Sequence, residues 1–597
     1  MKSQMFSRWR AACAAALLIA GLAGCKKTQQ ANGEVSRNWV PVQQAEYLGV
    51  PAAEARSAIQ ARLAASPPAP ITADQWKHVK KLYGTFNQSL LWLDGKGVHQ
   101  PRVSALLNAV AGADSDAIKM DAFPLDSLTQ TLSAVDDKTP TATQLADADV
   151  MLTSAYAVLG EIMLTGQEKP ADLAQSWHIN PQEEKLDSAL ALTLREDDFG
   201  AGLVRMRPQD PGYDSLRTEF VNFRSVVSKG GWGTVPTGRA LKPGETDSPA
   251  RLSALRARLA AEGYLNVPTD STTAASTPAP DSATAAPRRT TSRAGRKGPN
   301  VYDRTLAGAV AAFQARHSIE VDSMLGQETV DAMNVPAGYR LAQIAANLER
   351  YRWLPRSLGS KYILVNVPQF HLVAFDSGKT SLEMKVIVGQ EYQDKATPVF
   401  SDSMEYVVFR PYWNVPPSIA AKEVFPKVAA DPNYLAANDM EVYNDHGRKA
   451  VRQRPGPKNS LGLVKFLFPN DYNIYLHDTP NHELFNKDVR AFSHGCIRVE
   501  KPAELAQWVL GWSPDKVDAA MNGADNHQVT LPSKLPVYIV YFTTYVQDGQ
   551  LNFGNDLYDR DNKLVTELEG VAMPSAETLK AQQMLRALAA ASHSDKG

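Results

Sequence analysis

The chain has 597 residues, of which 44% are hydrophobic and 21% charged, with a formal net charge of −1. At roughly 100–200 residues per domain, that length exceeds one compact core and implies three or four units. The balanced charge excludes a global pull toward nucleic acid or anionic lipid, so no nucleic-acid partner is expected.

The elements in chain order begin with a leader. Lys2, Arg8 and Arg10 precede an apolar stretch, Ala11 to Ala20, followed by Leu22-Ala23-Gly24-Cys25. A charged start, a short apolar middle and small residues at a cut site predict a secretory signal over residues 1–25. The stretch is short for a spanning helix, which needs ~20 apolar residues, and no other segment reads as one. Leu-Ala-Gly-Cys resembles the lipobox of bacterial lipoproteins, which implies cleavage and acylation of Cys25. Lys26 stands where an aspartate would favour inner-membrane retention, so the resemblance implies the outer membrane, facing the periplasm. An uncleaved anchor or a plain signal peptide is the alternative. Cys13 would leave with the leader and Cys25 would carry lipid, so Cys496 is the one remaining thiol. In an oxidising compartment such a residue is a reactive thiol or a buried bystander.

Residues 26–70 are rich in Ala, Gln, Pro and Ser and predict a tether, partly helical around Ala52 to Ala65. Residues 71–245 carry a helical pattern, with Leu152, Ala155, Tyr156 and Leu159 on one face. Glu161, Asp197 and Asp198 are scattered there and read as a solvated surface, so the block is expected to be a scaffold. Residues 246–340 predict three short helices. Leu252, Leu255 and Leu259 line the first, which stops at Gly263; Leu306, Val310 and Phe313 line the second; the third runs from about Gln327 to Met333. This block resembles the three-helix peptidoglycan-binding module, with Phe313-Gln314 and Gly326 at that family's positions and Ile319-Glu320 in place of its usual glycine. An insert at 268–300, rich in Thr, Ser, Ala and Pro and ending in Arg288, Arg289, Arg293, Arg296 and Lys297, cannot build a core and reads as disordered. Its basic end suits either an anionic wall polymer or plain solvation.

From Lys361 to residue 546 the pattern turns to short strands with Gly and Pro turns, which predicts an all-β sandwich or barrel-like core. Between 416 and 457 polar and helical segments interrupt it, including a short helix from Ser418 to Phe425 stopped by Pro426; an inserted lid is expected here. Residues 547–597 form a tail, helical around Ser575 to Ala590 and expected to be peripheral. The fold class is therefore multidomain α+β: a helical scaffold, a small three-helix module and a mainly β domain with a lid insertion.

The chemistry concentrates at Ser493-His494-Gly495-Cys496-Ile497-Arg498-Val499. In an extended segment His494, Cys496 and Arg498 share one face, which predicts a base and a cation beside the thiol. Gly495 allows close backbone approach and presents N–H groups to an oxyanion. Upstream, Tyr475-Leu476-His477-Asp478-Thr479-Pro480 leaves fifteen residues between His477 and the Ser-His-Gly-Cys run. That pattern resembles the L,D-transpeptidase (YkuD-like) signature. The likeness extends over 361–545, including Trp413-Asn414-Val415-Pro416-Pro417 and Pro455 to Gly462 with Asn459, and the preceding scaffold and split module resemble the family's large Gram-negative branch.

The resemblance implies the following roles. Cys496 is the nucleophile and His477 the general base, oriented by Asp478 or a backbone carbonyl; His494 is the rival base. Ser493 and Gly495 complete the motif, and the N–H groups of Gly495 and Cys496 are oxyanion donors. Arg498 holds a stem carboxylate, while Tyr475, Trp413, Asn414 and Asn459 are candidate substrate contacts. Peptidoglycan stem peptides of the diaminopimelate type are the implied donor and acceptor, cell-wall synthases the implied partners, and carbapenems the implied inhibitors. No cofactor and no metal is expected. Other readings are a catalytically silent wall-binding lipoprotein, a transpeptidase attaching a lipoprotein to the wall, and a zinc peptidase. The last rests on His477 and His482 with Asp478 and Glu483, yet no His-Glu-x-x-His is present.

Overall fold

The computed structural model describes residues 35–95, 97–98, 100–136, 139–173, 176–179, 185–265, 300–390, 396–571 and 574–591. The leader, Cys25 and most of the insert at 268–300 lie outside these.

The N-terminal helices gather around Ala142–Thr165, a helix buried on nearly every side. Thr72 and Thr141 start two of the helices with capping boxes closed by Gln75 and Gln144. By length and composition Ala142–Thr165 could cross a membrane, which the sequence reading did not anticipate. Yet 89% of its apolar window is buried inside the protein, as for a core helix hydrophobic all round. Its Asp149 accepts the backbone N–H groups of Leu91, Trp92 and Leu93 and the Tyr83 hydroxyl. Burial pushes that carboxyl up to about 6.

Helices Pro249–Ala261, Arg304–Arg316 and Gln327–Asn334 share a core of their own, built from Leu252, Leu255, Leu259, Leu306, Val310, Phe313, Val330 and Met333. Helices Pro211–Ser228 and Ala337–Arg352 instead pack Tyr213, Phe220, Leu341 and Leu348 into the core of the β domain.

The ten strands of the main sheet are β1 (Trp177–His178), β2 (Lys361–Asn366), β3 (His371–Asp376), β4 (Lys379–Gly389), β5 (Val399–Phe409), β6 (Val464–Leu467), β7 (Leu476–His477), β8 (Ala491–Ser493), β9 (Ile497–Val499) and β10 (His527–Val540). Their order is β6-β7-β9-β4-β3-β2-β10-β5-β1, with β8 alongside β4. A further β5–β6 pairing closes the path into a ring, in keeping with a barrel-like core. β1 comes from the helical scaffold and adds in parallel to β5, with Trp177 opposite Val399 and His178 opposite Phe400.

The insertion forms a separate three-stranded sheet, Trp413–Asn414, Arg448–Gln453 and Met440–Asp445, over a small core of Val415, Ala420, Val424 and Val451. Pro426 does not stop the helix here. A π-helical stretch Ala420–Val424 leads into a helical segment Phe425–Ala430, in which Pro426 takes a first-turn position that needs no N–H donor.

The tail is not peripheral. Asp561 is buried and pairs with Arg350 at 2.6 Å and Gln343 at 2.8 Å. Helix Asn562–Leu568 places Leu564, Val565 and Leu568 in the core of the β domain. Helix Ala576–Ala591 then returns to the scaffold, where Leu585 and Ala589 are buried. The segment from Asp561 to Ala589 thus joins two cores, a role that no local periodicity reveals.

Candidate active site

Three adjacent strands build the site. β6 runs antiparallel to β7 with Lys465 opposite His477, and β7 runs parallel to β9 with His477 opposite Arg498. Alternation sends Val464, Phe466, Leu476, Ile497 and Val499 into the core. Lys465, His477 and Arg498 therefore form one row across the opposite face. One step back, the Ile497 N–H donates to the Tyr475 carbonyl at 3.1 Å, bringing Cys496 alongside Tyr475. Cys496, one residue before β9, and His477, in β7, thus lie diagonally across two neighbouring chain segments.

His477 is buried, and its Nδ1 lies 2.5 Å from the Asp478 carbonyl oxygen. A carbonyl only accepts, so Nδ1 carries the proton and Nε2 is left with a free lone pair. Burial, then Arg498, and more weakly Lys465, depress its pKa to about 3, so the ring is neutral at physiological pH. The orienting group is the backbone carbonyl and not the Asp478 carboxylate, which accepts the N–H groups of Leu463 at 2.8 Å and Thr479 at 2.7 Å.

Cys496 is a half-buried free thiol whose Sγ donates to the Asn473 carbonyl at 3.6 Å. Burial pushes its pKa above the ordinary thiol value, although Tyr475, Lys465 and Arg498 pull the other way. The resting pair is consequently a neutral thiol and a neutral imidazole. The sequence reading expected nearby positive charge to prevail; desolvation is the larger effect.

Gly495 has φ +115°, a conformation open to glycine, and it breaks the strand between β8 and β9. The expected common face for His494, Cys496 and Arg498 does not survive this break. His494 turns outward and meets Glu423 of the insertion, Nε2 to Oε1 2.6 Å. Ser493 braces the turn: its hydroxyl donates to the Cys496 carbonyl at 2.5 Å and accepts the Gly495 N–H at 3.1 Å. That N–H is already engaged, whereas no partner of the Cys496 N–H is found among the described residues, which keeps it as the candidate oxyanion donor. Thr397 Oγ1 fixes the Gly495 carbonyl at 2.8 Å. The Tyr558 hydroxyl, from the tail, accepts the Thr397 N–H at 3.2 Å and donates to the Gly389 carbonyl at 2.7 Å.

The Tyr475 ring centroid lies 5.5 Å from that of His477, and its phenol interacts with the Cys496 thiol and with Trp413 of the insertion. Asn414, next to Trp413, is exposed. Asn459 is buried, with its amide spent on the carbonyls of Pro411 at 3.0 Å and Arg454 at 2.9 Å and on the Leu461 N–H at 2.8 Å. Buried, with both amide hydrogens donated to backbone carbonyls, it pins a loop.

Three participants were missed. Asn473 (φ +56°) aims its carbonyl at the thiol, and Glu423 holds His494. Lys465 places its ammonium 3.8 Å from the Tyr475 ring centroid. The available signal was a lysine inside the apolar run Leu463-Val464-Lys465-Phe466-Leu467.

Residues 360–539 match the L,D-transpeptidase catalytic domain family, and residues 77–220 match the scaffold domain family. A Haemophilus influenzae protein, named provisionally as an L,D-transpeptidase, is 32% identical over 242 residues, 37% of this chain and 48% of that protein. The match thus spans about half of the relative. A crystal structure of the L,D-transpeptidase (residues 123-326) from Xylanimonas cellulosilytica aligns with 51% of this chain and 99% of that one, at 15% identity and a TM-score of 0.14. By the two family matches, the chain carries an L,D-transpeptidase catalytic domain over residues 360–539, with a scaffold domain over residues 77–220 ahead of it.

Proposed function

We propose that the protein is a peptidoglycan L,D-transpeptidase that forms 3→3 cross-links through a Cys496 thioester. The observation carrying this reading is the neutral pair of Cys496 and His477, the histidine held with Nε2 unprotonated by the Asp478 carbonyl. As Sγ attacks the carbonyl between the diamino acid at the third stem position and the terminal D-Ala, its proton passes to His477 Nε2. The Cys496 N–H meets the developing oxyanion. The imidazolium returns the proton to the departing D-Ala amine and the thioester remains. The side-chain amine of a second stem then attacks, His477 takes its proton, and the new amide releases the thiol. Water in place of that amine yields the shortened stem, an L,D-carboxypeptidase side reaction.

In this reading the insertion is a lid over the thiol, the three-helix module holds the wall, and Cys25 anchors the enzyme to the outer membrane on its periplasmic side. Purified disaccharide-tetrapeptide incubated with the soluble chain from Lys26 tests it, with products followed by mass. A dimer lacking one D-Ala is expected, and tripeptide alone would mark a carboxypeptidase instead. Intact tetrapeptide would return the protein to a wall-binding role or to lipoprotein attachment.

A further inference from the structure

The row across β6, β7 and β9 holds more positive charge than a thiol and its base require. Lys465 and Arg498 flank His477 on either side, one on each neighbouring strand. Both side chains are only partly exposed, and neither meets a carboxylate among the described residues. Some buried cations here are met by carboxylates, as Arg350 is by Asp561 and Arg452 by Glu441, and others by backbone carbonyls, as Arg490 is by those of Phe370 and Lys487. Lys465 has only the face of Tyr475 beneath it, at 3.8 Å. Taking a cation out of water without a counter-ion is costly. Two such groups flanking one base amount to a standing deficit of negative charge at the point where a substrate binds.

We infer that Lys465 and Arg498 form a two-point receptor for the two carboxylates at the donor stem's end, with Lys465 as the specificity-determining member outside the thiol motif. The inference rests on the transpeptidase reading. A stem ending in a diamino acid and D-Ala carries one carboxylate on the third residue and one on the leaving residue, on either side of the amide that Cys496 attacks. Cations on both sides of His477 match that spacing of charge. Tyr475, stacked under the ammonium and beside the thiol, holds the lysine toward the cleft.

The test is steady-state kinetics of the full soluble chain, wild type and Lys465→Met. The substrates are a free tetrapeptide stem, its D-Ala carboxamide and its third-residue carboxamide. A charge-assisted hydrogen bond of this kind is worth about tenfold to a hundredfold in binding. Lys465→Met is expected to raise KM for the free stem by about that factor with kcat changed less than about threefold. One of the two carboxamides should cost the wild type a similar factor yet add almost nothing to the mutant, because the interaction is already lost. Lys465→Arg should restore most of the KM. If the mutation and both amidations multiply independently, the receptor is wrong. A fall in kcat alone also overturns it, since Lys465 would then act on the thiol. A Lys465→Met protein that turns over like wild type removes this inference and leaves the transpeptidase reading standing; a wild type that turns over no stem removes both.

Discussion

The Nδ1 of His477 sits 2.5 Å from the carbonyl oxygen of Asp478, and that contact decides which nitrogen can act as a base. A backbone carbonyl cannot switch roles as a carboxylate can, so the tautomer is fixed by the chain itself. His494, nearer to the thiol in sequence, is instead held by Glu423 at 2.6 Å.

The two histidines should therefore separate in kinetics. His477→Asn is expected to lower kcat by about a hundredfold to ten-thousandfold, the range for loss of a general base. His494→Asn should cost less than about tenfold, since its ring serves the contact with Glu423 of the insertion. Equal losses at both positions would contradict the assignment.

The pH behaviour follows from two opposite shifts. His477, depressed to about 3, is deprotonated and able to accept a proton throughout the range above that value. Activity is thus expected to persist below pH 5, without an acid limb at the ordinary histidine value. Cys496, raised by burial, stays a thiol at neutral pH, so iodoacetamide should alkylate it slowly at pH 7 and faster only above the ordinary thiol range. For stability the sign is equally definite. The unfolded chain protonates His477 near pH 6.5 and the folded chain does not, so this contribution is present above pH 6.5 and is lost as pH falls toward 3. Thermal melts from pH 7 to pH 4 measure it.

Asn459→Ala should act on stability and not on chemistry. The amide holds the carbonyls of Pro411 and Arg454 and the Leu461 N–H, so its loss strands buried groups. A cost of about 1–3 kcal/mol is expected, with kcat per folded molecule unchanged. A KM effect with normal melting would restore it as a substrate contact.

Leu585→Ala tests the join between the two cores. Leu585 is fully buried among scaffold side chains although it lies in the last helix. The mutation should destabilise the scaffold by about 2–5 kcal/mol. Hydrogen exchange should quicken in helix Pro101–Ala111, against which Ala576–Ala591 packs. Unchanged exchange there would mean that the tail is detached in solution.

How much was legible follows from which interactions are local. Alternating residues such as Leu476-His477 and Ile497-Arg498 encode strands with one face buried, and His477 and Cys496 announce their chemistry by spacing. The cap boxes at Thr72 and Thr141 are local as well. What lay beyond reach depends on distant partners. The turn at Gly495 reverses the face of His494, and strict alternation gives no warning of it. Lys465 becomes part of the site only once β6 pairs with β7. Trp177–His178 joins the sheet from the scaffold, across more than two hundred residues of chain from the closing strands. The protonation of Cys496 required knowing its burial, because desolvation opposes its charged neighbours there.

The most direct measurement is the intact mass of the enzyme during turnover of a tetrapeptide stem, followed by peptide mapping. A stem lacking its D-Ala, joined by a thioester to the peptide containing Cys496 and absent from Cys496→Ala, is the expected result. An adduct on another residue, or cross-linking by Cys496→Ala, would contradict the role assigned to this thiol.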